Sequence, residues 1–197
     1  PDADVTVAYT EGTASDANLN LRIVNAHLIQ VTQDSAGTVP MVAGRPALLR
    51  VYTLANQCNT ATPVVRITLS NGKVYDVPAE ESSVRALLAP GVLLSTWNVT
   101  LPDTAVKDGL TFFAELDPAN TVAETNETDN RYPAVGVEEV DVRNVGTVGI
   151  MFVPIVQPEG TGNITSANVD QFLEFSRQVH PVLGFDVVIR QQPFTSD

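Results

Sequence analysis

Carboxylates and amides crowd one short stretch of this sequence. FFAELDPANTVAETNETDNRYP, residues 112–133, holds Asp117, Asn120, Glu124, Glu127, Asp129 and Asn130, with no Lys or Arg before Arg131. Calcium takes six to eight oxygens, and carboxylates mixed with amide and backbone carbonyls supply them. These residues are therefore candidate calcium ligands. Their spacing does not match an EF-hand loop, and strand alternation sends Glu124 and Glu127 to opposite faces unless the chain bends between them. The other reading is structural. Asn120 and Asn130 then cap turns through side-chain-to-backbone bonds, and Glu124 and Glu127 are solvated or paired with Arg131 or Arg45.

Other chemistry finds little support. A zinc peptidase site needs two His at i, i+4 around a Glu, but the only histidines are His27 and His180, and no HExxH occurs. His180 falls at a predicted helix end, where it suits the helix dipole better than a metal. No serine stands in a G-x-S-x-G elbow. PEGTGNITSAN precedes the same helix, yet it lacks the Lys of a phosphate loop and the third glycine of a dinucleotide site; a surface loop with an N-cap accounts for it. Cys58 is the only cysteine. It has no basic neighbour to activate it, cannot form an internal disulfide, and reads as a half-buried residue at a strand end. Sequons at Asn98, Asn126 and Asn163 are of a kind that arises by chance in Asn/Thr-rich chains. No catalytic residues are expected, and no cofactor beyond the calcium candidate.

Charge narrows the partners. With 23 acidic and 11 basic residues, the chain has a net charge of −12. Nucleic acids and anionic membrane surfaces demand Lys and Arg, so neither is expected as a partner. No apolar run approaches the ~20 residues that span a bilayer. At 44% hydrophobic and 17% charged, the 197 residues can bury a real core. The sequence opens at Pro1 without an initiator Met or a leader, so a processed form or a fragment is expected.

The elements that must position these residues read mainly as strands. Residues 1–20 form a polar lead-in. LRIVNAHLIQV, PALLRVYTL, PVVRITLS, KVYDVP, VLLSTWNVTLP and LTFFAEL follow, with turn residues between them, and a last strand falls near 132–142. In PVVRITLS, Val65, Ile67 and Leu69 alternate with polar residues, so one face is buried. Asn71-Gly72 then predicts a two-residue type I′ hairpin. About seven short strands with this punctuation predict an immunoglobulin-like β-sandwich over 21–142, with Trp97 in its core.

The pattern changes over 143–197. VGTVGIMFVPIV predicts a strand buried on both faces. A helix over 168–179 follows, with Val169, Phe172, Leu173, Ser176 and Val179 on one side and Thr165 or Ser166 as N-cap. FDVVIR is the next strand. This βαβ-like element is too short for a domain of its own: either it packs on the sandwich or it begins a second domain, and the second is expected.

The segments GRPALLRVYTL, TWNVTLP and FFAELDPANTVAETNETDNRYP together resemble the bacterial cell-adhesion-related domain known as CARDB. The family's closing pattern is an Asp, an Asn, then Glu-x-x-Glu-x-x-Asn, matched here by Asp117, Asn120, Glu124, Glu127 and Asn130. Asp129 departs from it, standing where a second Asn is common. The resemblance covers about 20–142. VPMVAGRPALLRVY and GIMFVPIV with HPVLGFDVVIRQQPFTS are also similar to the front of large secreted bacterial proteins, some of them zinc metallopeptidases.

The sandwich pattern, the lack of a catalytic constellation and the acidic balance, together with these resemblances, lead to the expectation of a non-catalytic adhesion, binding or spacer module at the cell surface or outside the cell, its partners being other proteins or surface glycans. Two alternatives stand beside it. One is the accessory region of a zinc metallopeptidase with its catalytic domain downstream. The other is a fibre subunit that self-associates through edge strands, with 1–20 or the final VVIRQQPFT as donor.

Overall fold

A computed structural model describes residues 18–195. Most of the lead-in read over 1–20 thus lies outside the described residues. The strands are β1 (Leu21–Ile29), β2 (Met41–Val42), β3 (Ala47–Ala55), β4 (Val65–Leu69), β5 (Val74–Val77), β6 (Trp97–Leu101), β7 (Thr111–Leu116), β8 (Arg131–Tyr132), β9 (Glu138–Glu139) and β10 (Val142–Arg143). Beyond them come β11 (Val148–Phe152), β12 (Ile155–Gln157), β13 (Gly160–Thr161), the helix α1 (Val169–Val179), β14 (Phe185–Ile189) and β15 (Phe194–Thr195). The chain is mainly β, 35% strand and 10% helix, in several sheets compatible with a β-sandwich. Among the described residues no helix is long and apolar enough to cross a membrane.

The chain divides into two compact units. The first holds 18–26, Arg50–Val99 and Phe112–Glu138. Its main sheet runs β5-β4-β7-β8, with β4 antiparallel to β7 in a register that pairs Val65 with Leu116 and Leu69 with Phe112. The alternation in the sequence explains the burial: Val65, Ile67, Leu69, Phe112, Ala114 and Leu116 all point inward, and their neighbours do not. Trp97 is buried as expected, and its indole N–H donates to the Pro63 carbonyl at 3.0 Å. Arg50 is buried too. Its guanidinium donates to the Thr96 hydroxyl and to the carbonyls of Pro90 and Val92, and lies over the Tyr52 ring.

Two local readings change in this unit. The β4–β5 connection is a three-residue loop, not a two-residue type I′ turn. Gly72 donates to the Leu69 carbonyl at 2.9 Å and alone takes positive φ, at 81°, while the Asn71 side chain accepts from Lys73 N–H. A type I turn closed by a left-handed glycine needs only one such residue. The strand read over VLLSTWNVTLP begins only at Trp97. Leu93–Ser95 is a 3₁₀ turn with no buried residue, because Thr96 N–H closes back on the Leu93 carbonyl.

The second unit holds His27–Leu49, Thr100–Thr111 and 139–195. Leu28, Met41, Leu49, Leu101, Val106 and Leu110 form its core, and β2 pairs in parallel with β10. The strand read near 132–142 is three short pieces, β8 to β10. β11 and β14 are parallel, Ile150 opposite Val187 and Phe152 opposite Ile189. α1 lies between them in sequence and turns Leu173 inward; its Phe172 meets Phe152 with ring centroids 6.3 Å apart.

Two readings of this unit are corrected as well. β11 is not buried on both faces: Met151 is 61% exposed and Val188, opposite it on β14, is 53% exposed. One helix covers one face of a two-stranded sheet, and these residues share the other face. The N-cap of α1 is Asn168, not Thr165 or Ser166. The Asn168 side chain folds back to accept from Thr165 N–H at 2.7 Å instead of capping the helix.

Candidate functional site

The acidic stretch is the connection between β7 and β8, which pair antiparallel with Glu115 opposite Arg131. At its start the chain turns sharply. Asp117 and Asn120 both take left-handed backbone, with φ of 46° and 49°, and Asn120 N–H closes on the Asp117 carbonyl at 2.8 Å. Asp and Asn tolerate this region better than other side-chain-bearing residues because they bond their own backbone locally. Asp117 is only 5% exposed. Its carboxylate accepts from the Thr121 hydroxyl at 2.7 Å and from Val122 N–H at 2.6 Å.

Farther along, the stretch fastens the first strand. Glu124 accepts from Leu21 N–H at 2.5 Å and from the Asn130 amide at 3.0 Å. The same amide reaches Glu127 at 3.2 Å. Asp129 accepts from the Asn20 side chain at 3.0 Å, and Thr125 N–H donates to the Leu19 carbonyl at 2.8 Å. The bend between Glu124 and Glu127 removes the alternation that was expected to part them. Arg131 pairs with neither. It donates to the carbonyls of Pro133 and Gly136 and stacks over Phe113 at 4.6 Å.

The electrostatics follow from this crowding. Burial pushes the Glu124 carboxyl above its ordinary value; the Leu21 and Asn130 hydrogen bonds oppose the shift, and the Glu127 and Asp117 charges add to it. Two buried oxygens, Asp129 Oδ1 and Asn130 Oδ1, have no hydrogen-bond partner among the described residues.

Of the candidate ligands, Asp117, Asn120, Glu127 and Asn130 line one open cleft of about 380 Å³. Glu124 reaches it only through Asn130, and Asp129 is turned to Asn20. Among the described residues, no three His, Cys, Asp or Glu side chains come together as a metal-holding group. The other singled-out residues stand apart. His27 is buried in β1, His180 is exposed at the end of α1, and Cys58 is exposed, not half-buried.

Two features had no signal in the sequence. Glu124 binds Leu21 across 103 positions, and Arg45 binds the end of α1 across 132. Local spacing carries no information about such partners. Comparison with protein-family models, with curated proteins and with solved structures finds no match for this chain.

Proposed function

We propose that the chain is a non-catalytic extracellular module, used for adhesion, binding or spacing in a secreted or cell-surface protein. Its body is an immunoglobulin-like sandwich of the CARDB type over 21–142. The observation that carries this reading is what the acidic side chains are bonded to. Asp117 caps its own turn, and Glu124, Thr125 and Asp129 hold residues 19–21. Groups spent on closing a sheet serve the scaffold, and such a module acts through its surface. The acidic balance of −12 directs that surface to proteins or neutral glycans over polyanions.

The test is binding of the purified chain to immobilised surface proteins and cell-wall glycans, alongside a panel of peptidase and glycosidase substrates. Saturable binding without turnover is expected. Turnover that co-purifies with the chain would overturn the proposal.

A second reading rests on a different observation. Parallel sheets occur with both faces covered, yet Met151 and Val188 leave one face of the β11–β14 pair open. In this reading the pair is the first part of a larger α/β domain, and the chain is the accessory region of a secreted zinc metallopeptidase. The encoded sequence that follows Asp197 decides it: an HExxH must appear there, and its absence sinks the reading.

A further inference from the structure

We draw no further inference here: the strongest candidate, the exposed aliphatic loop at residues 86–94 with Leu87, Leu88, Leu93 and Leu94 outside the core, carries nothing because nothing in the structure shows what covers it.

Discussion

The guanidinium of Arg45 donates to the carbonyl of Arg177 at 2.7 Å, in the last turn of α1. The same group reaches the carbonyl of His180 at 2.6 Å and that of Val182 at 3.2 Å. The last carbonyls of a helix lack intrahelical donors and carry its negative pole. Arg45 therefore supplies both the missing donors and the complementary charge, the role the sequence suggested for His180. Among the described residues, the one bond His180 donates to the helix end is from its backbone N–H, to the Ser176 carbonyl, while its ring packs edge-on against Phe185.

Replacing Arg45 with Ala removes these donors together. The expected cost is about 1–2 kcal/mol, since the bonds are charge-assisted but partly open to water. Lys keeps the charge and loses the planar fork, so Arg45→Lys should recover about half. Hydrogen exchange locates the effect. The amides of α1 should exchange faster in Arg45→Ala, while those of β4 and β7 keep their protection. Uniform acceleration would mean that Arg45 supports something other than the helix end.

Asp117 tests backbone and side chain separately. Arg45 acts on a helix end, but Asp117 holds a left-handed turn with its own carboxylate. Asp117→Ala loses both accepted bonds and places a methyl-bearing residue at positive φ, a combined cost of about 2–3 kcal/mol. Asp117→Gly loses the same bonds without the strain, so it should be about 1 kcal/mol more stable than Asp117→Ala and unfold at a higher urea concentration. Equal midpoints for the two variants would show that the turn stores no strain.

The fold was legible where burial follows a local period. Val65, Ile67 and Leu69 alternate and are buried; of the helical stripe, Val169 and Leu173 are buried while Phe172 and Val179 are exposed. Asn71-Gly72 marked a turn correctly but not its type, because the dipeptide alone does not set loop length. The apolar run at β11 misled for a different reason. Continuous hydrophobicity tells what a strand would bury, not whether anything lies over it, and Met151 is left open. The site was legible in composition alone. Which carboxylate holds which donor depends on β1 returning to the β7–β8 connection, and only the folded chain shows that.

Acid should first strengthen the fold and then weaken it. Because burial and like charges raise the Glu124 carboxyl, the folded state takes up a proton before the unfolded chain does. Stability from this group therefore rises as pH falls through the raised value, and levels off below the ordinary carboxylate range. Asp34, Asp76, Glu81 and Asp141 are shifted the other way, by hydrogen bonds from Thr38, Arg66, Arg85 and Arg143 respectively. Their stability is present at neutral pH and is lost as pH falls through their lowered values. Melting midpoints should thus climb as pH falls from neutral toward the ordinary carboxylate range and drop again below it. Glu124→Gln should flatten the climb and leave the drop unchanged. A full climb in the variant would assign the effect to other carboxylates.

Calcium separates the structural reading of the acidic stretch from the ligand reading. A cation at the cleft of Asp117, Asn120, Glu127 and Asn130 would compete with donors already in place. Thr121 and Val122 occupy Asp117, and the Asn130 amide bridges Glu127 to Glu124. A ligand that binds only the folded state raises the melting midpoint in proportion to the logarithm of its concentration over its Kd. The midpoint in millimolar calcium should therefore match that in chelator to within about 1 °C, since 1 kcal/mol moves it by roughly 2–4 °C in a chain of this size. A saturable rise that disappears in Glu127→Gln, but persists in Asp76→Asn, would make the cleft a calcium site and overturn the scaffold role given to these side chains.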